Sequence, residues 1–197
     1  METVIARYLT IALVAVLIAC SDGGPTERPE TREGEIRVEG QAQPMTFNRF
    51  RPGEAFALPF ETYVPADMTA ATANSGQGAV VVIRAAFDGT PVDAAAIHIA
   101  TLPAGTRQAD ALATARALAA GVARGEAVRA QPPAWTRDLH RLEGDRLGFV
   151  ALGEHAGRWF YVLVAYPPEY ADGMAPRVDA ILAAWRWRDD GSPLRAE

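Results

Sequence analysis

The chain contains no lysine: all 19 of its basic residues are arginine. That excludes a Schiff-base amine, the phosphate-cradling lysine of a P-loop and the Ser-x-x-Lys nucleophile pair. Serine is nearly as scarce. It occurs only as Ser21, Ser75 and Ser192, none of them in a Gly-x-Ser-x-Gly elbow. A single cysteine, Cys20, rules out a disulfide framework and leaves no thiol set for zinc. Formal charge is −5, so the chain lacks the basic footprint that nucleic acid requires. What is present is a globular composition, 49% hydrophobic and 22% charged, over 197 residues, the length of one domain.

The N-terminal residues carry the clearest signal. Arg7 and the α-amino group precede an apolar run from Tyr8 to Ala19, with Glu2 as a mild departure. As a helix the run rises about 18 Å against roughly 30 Å of hydrocarbon, too short for a transmembrane span but suited to a secretion signal. The segment Leu17-Ile18-Ala19-Cys20 resembles the lipobox of bacterial lipoproteins, and the chain turns polar immediately after it. The resemblance implies cleavage between Ala19 and Cys20, a diacylglyceryl group on the Cys20 sulfur, and a membrane anchor through that residue. Two or more acyl chains anchor stably where one does not. The other reading of Cys20 is a small apolar residue that ends a cleaved signal or an anchor helix. Ser21 after the cysteine, by resemblance to Gram-negative sorting signals, implies the outer membrane facing the periplasm over the inner one.

Three segments follow: a signal peptide over 1–19, a lipidated tether over 20–35, and a single domain over 36–197. Residues 21–35 hold no large apolar residue and cannot bury enough surface to offset ordering entropy. Beyond them the pattern predicts strands at 45–50, 56–64, 79–87, 94–102, 136–142, 146–152 and 158–166. Residues 65–77 and 124–134 read as connections. Thr106 is placed to cap a helix over 107–122, and Tyr170, Met174, Val178, Ile181 and Trp185 line a terminal helical face. In 158–166 both faces are apolar, which demands a central strand with cover above and below. The expected class is α+β: an antiparallel sheet of five or six strands with helices packed on its faces.

This order of elements resembles the PsbP-like, Mog-type family. The echoes are Glu61-Thr62-Tyr63-Val64-Pro65-Ala66-Asp67-Met68 at a strand end and Ile181-Leu182-Ala183-Ala184-Trp185-Arg186-Trp187 at the terminal helix. The resemblance implies an α/β/α layering and service to a larger, membrane-associated complex. The alternative architecture is a cystatin- or NTF-type cone, a sheet curled around a helix.

Few residues suggest chemistry. Asp88 and Asp93 flank a turn and read as turn geometry before metal ligation. His98, His140 and His155 show no paired spacing, and Glu154 is placed to orient one of them. Glu143, Asp145 and Glu154 as paired acids, and Ser75 as a phosphate-loop residue, have weaker grounds than turn or loop roles. Trp159 and Trp185 fit core faces, whereas Trp187 and Trp135 are candidates for partner contact. No cofactor, metal or nucleic acid is expected. The expected protein is an exported lipoprotein in a non-catalytic binding or assembly-accessory role. Two other readings stand beside it: a periplasmic carrier of a small or lipidic ligand, and a hydrolase using Asp, Glu and His.

Overall fold

The computed structural model describes residues 27–76, 78–123 and 127–195. Its strands are β1 (Thr31–Val38), β2 (Gln41–Phe50), β3 (Phe60–Pro65), β4 (Met68–Ser75), β5 (Gly78–Ala85) and β6 (Val92–Thr101). Helix α1 (Gln108–Val122) follows, then β7 (Ala127–Arg129), β8 (Thr136–Leu142), β9 (Leu147–His155) and β10 (Arg158–Tyr166). A 3-10 turn, Pro168–Tyr170, leads into α2 (Ala171–Ala184), and β11 (Arg186–Trp187) comes last. The strands form two antiparallel sheets, one of four in the order β1-β2-β3-β11 and one of seven in the order β4-β5-β6-β10-β9-β8-β7. The class is α+β. The expected five or six strands undercount it, because β4, β7 and the whole smaller sheet beyond β2 and β3 were not expected.

The two-sided strand is central as its sequence demands. β10 is the fourth of seven, with β6 and β9 as neighbours. Phe160, Val162 and Val164 point to one face, into a core shared with Val81, Ile83, Ile97 and Ile99 of the sheet and Met174, Val178, Ile181 and Leu182 of α2. Trp159 points to the other, where Val150 and Leu152 of β9 meet Ala111, Ala115 and Ala119 of α1. Each large side chain fully withdrawn from water contributes about 1.5–3 kcal/mol, so this shared strand ties both cores together. The four-stranded sheet packs on the outer side of α2, where Ile36, Phe47 and Tyr63 meet Ala184.

Several expectations fail for identifiable reasons. The tether does not extend to residue 35, because Thr31–Glu35 is already the first half of β1. These residues are exposed, so their own composition does not drive the order. The partner supplies it: Gly34 lies against the Phe47 ring, and the Arg32 guanidinium sits 4.5 Å over Tyr63 and 5.0 Å over Phe47. The loop expected over 65–77 is mostly β4, whose Ala and Thr residues pair along β5. The strand expected from Phe56 starts only after Pro59, although Phe56 and Leu58 still turn inward and are buried.

The helices also start and end differently. Thr106 does not cap α1: its hydroxyl donates to the Pro103 carbonyl at 2.7 Å, and the N-cap residue is Arg107, without a side-chain cap. α2 stops at Ala184, and Trp185 is already extended, so Trp185 and Trp187 alternate along a strand instead of following a helix. Among the described residues no helix is long and apolar enough to cross a membrane.

Candidate functional site

α1 covers β8, β9 and the near side of β10, and the sheet continues past it to β6 and β5. Where the helix ends, its last residues and the sheet enclose a cleft of about 640 Å³. The floor is Ala96 and His98 of β6 with Leu163 and Ala165 of β10, held side by side by the register His98↔Leu163 and Ala96↔Ala165. Small residues at these sheet positions leave the space. Val122 and Ala123 form the wall, and Asp93, Glu143, Asp145 and Arg146 the rim.

The rim is partly neutralised. Arg84 Nε donates to Asp93 at 2.6 Å, and Arg146 Nη1 donates to the Ala94 carbonyl at 2.7 Å. α1 carries no basic residue in its own last turn, and the partial negative charge of its C-terminus lies beside the cleft. His98 is half-buried on the floor. Burial, and then the positive charge of Arg84, push its pKa below the usual histidine value, which favours a neutral imidazole able both to donate and to accept. An apolar floor with one neutral polar group and a weakly acidic rim suits a small ligand with an apolar body, and the volume lies in the usual range for such sites.

The other histidines are elsewhere. His140 and Asp138 alternate onto one side of β8, both buried, with Nε2 and Oδ2 at 2.9 Å, and Arg129 Nε donates to the other carboxylate oxygen at 3.2 Å. His155 stacks face to face on Trp187, centroids 3.8 Å apart, and its Nε2 meets Asp189 at 2.9 Å. Asp189 therefore orients His155, while Glu154 faces Arg137 at 3.7 Å. His155, Asp189 and Asp190 place ligand-type atoms within 4.8 Å of one another, a juxtaposition across 34 residues that spacing does not announce. Asp190 accepts the hydroxyl of Ser192 at 2.7 Å. Asp88 caps its own turn by accepting the Thr90 N–H at 3.0 Å.

The tryptophans divide. Trp187 is 5% exposed, because β11 turns it inward onto His155 and the edge of Phe160; exposure, the ground for assigning it partner contact, is absent. Trp135 is half-buried beside Phe149, lining a crevice of about 220 Å³ with Pro133 and Leu139, and its buried Nε1 has no hydrogen-bond partner among the described residues. Cys20 and Ala19 lie outside the described residues. Sequence reasoning named His98 by itself and Glu143 and Asp145 as paired acids with Glu154, but not their convergence with Ala96 and Ala165, which depends on β6 pairing with β10. No family model, curated protein or solved structure matches the chain.

Proposed function

We propose that this chain is an exported envelope lipoprotein, anchored through Cys20, whose domain binds a small ligand in the cleft at the end of α1 and performs no reaction on it. The cleft carries this reading: an apolar floor of small residues, a neutral half-buried imidazole and a ligand-sized volume between helix and sheet. It favours the carrier role within the binding class over partner contact through Trp187, whose ring is buried. A PsbP-like α/β/α layering is part of the proposal. Support comes from α1 and α2 lying on opposite faces of the seven-stranded sheet, whereas a cone would curl its sheet around a helix on one face.

The test is native mass spectrometry of the full chain extracted from its own membranes, beside Ala165→Phe, which fills the cleft floor. The expected result is a bound small molecule on the wild type and its loss in the variant. A bare wild-type protein that instead brings down a defined protein complex would replace the carrier role with the assembly-accessory one.

A further inference from the structure

On the far side of Trp187 from the core, β3, β11 and the segment around residues 27–51 enclose a second pocket, about 570 Å³ in volume. Among the described residues, Arg28, Arg51, Arg186 and Arg188 line it against two carboxylates, Glu27 and Glu61. Arg186 of β11 and Arg188, the first residue of the turn that follows it, both line the pocket, and Arg186 stands opposite Glu61 in the register.

Glu61 is nevertheless committed elsewhere. Arg51 Nε donates to its Oε2 at 3.0 Å and Arg28 Nη1 to its Oε1 at 3.3 Å. Burial alone would raise the Glu61 pKa, but these bonds outweigh it and hold the group below the ordinary carboxylate value, so it stays ionised. Glu27 takes Arg51 Nη1 at 3.3 Å. Among the described residues, Arg186 then has only the Trp185 carbonyl, at 3.3 Å, and the Arg188 side chain has no partner.

Two guanidinium groups, one holding a single backbone carbonyl and the other without a partner among the described residues, thus face a pocket with excess positive charge. Their backbone positions, two residues apart in the chain, are at most about 7 Å from each other. That spacing lets both forks close on one tetrahedral oxyanion, which offers more oxygens than a single carboxylate. We propose that this pocket binds a phosphate-bearing anion through Arg186 and Arg188.

Two sources of phosphate fit. One is a soluble phosphoester. The other is a phospholipid headgroup, a source that rests on the anchor reading above: six residues lie between Cys20 and Glu27, an extended reach of at most about 25 Å. The anion site itself needs no anchor.

Thermal unfolding of the detergent-extracted full chain, titrated with inorganic phosphate at constant ionic strength, tests the site. Wild type and Arg107→Gln, which removes an exposed arginine at the N-cap of α1 that does not line the pocket, should be stabilised alike. Arg186→Gln/Arg188→Gln should bind phosphate about tenfold or more weakly, for two lost charge-assisted hydrogen bonds. If the double variant does not fold, Arg188→Gln alone carries the comparison, since its side chain is exposed and unpartnered among the described residues. Mixed micelles then separate the sources. Stabilisation by phosphatidylglycerol beyond phosphatidylcholine, lost in the variant, identifies the headgroup, and response to inorganic phosphate alone identifies a soluble phosphoester. A wild type indifferent to phosphate, or variants that respond as wild type does, would overturn the proposal without touching the cleft or the anchor.

Discussion

At Gly148 the backbone adopts φ of +129°, and a Cβ placed there would come 2.1 Å from the Val164 carbonyl oxygen of the neighbouring strand. No side-chain rotamer relieves a clash with main chain, so Gly148→Ala should lower stability by about 2–4 kcal/mol, read from denaturant unfolding. Gly153 is constrained differently. The Phe160 ring lies over it, with Cζ 2.4 Å from where a Cβ would stand. Neither constraint is visible from glycine's place in the chain, since both depend on β9 pairing with β10. His98 makes a prediction about acid. Its pKa is lowered in the fold by burial and by Arg84, so between that value and the unfolded 6.5 the unfolded chain binds more protons. Stability should therefore be whole above pH 6.5 and fall as pH drops through the lower folded value. Chemical denaturation at a series of pH values should show this loss reduced in His98→Gln, and an unchanged profile would remove the buried imidazole from the account.

Among the elements, α1 was legible as a helix from its alanines, and the same alanines set its distance from the sheet. Ala111, Ala115 and Ala119 are fully buried against β8 and β9, so the helix lies close and its remaining length stops short of β5. Ala115→Leu should overpack that contact and cost about 1–3 kcal/mol, measurable as a lowered Tm. α2 was legible by its apolar face, but its attachment was not. Arg177 donates Nε to Asp67 at 3.0 Å, Nη1 to the Gly173 carbonyl at 2.7 Å, and stacks 4.4 Å over Phe87, joining the helix to the turn between β3 and β4. Arg177→Ala would strand a largely enclosed carboxylate and should destabilise by about 2–4 kcal/mol, less than a fully buried pair because Asp67 retains some solvent. β1 and β4 stayed hidden for a common reason. Edge strands of small or charged residues carry little alternation of their own and are ordered by the strand beside them.

For the whole molecule, the proposed anchor predicts a change of compartment: Cys20→Ala should abolish acylation, detected by mass spectrometry, and move the protein out of the membrane fraction. Wild-type fractionation and processing in the variant would end the lipoprotein reading. By itself the sequence determined the α+β class, the central two-sided strand β10 and the strand β8, because apolar periodicity is a local property that one stretch of chain records in full. It also confined chemistry by what it omits, lysine above all. Only the tertiary structure decided that the sheets number two, that Trp187 is covered by His155, that His98 floors a cleft, and that Arg186 and Arg188 remain facing a pocket. Each of these depends on which strands become neighbours across long separations of sequence. Pairing register and burial by a distant partner leave no periodic trace in either segment alone.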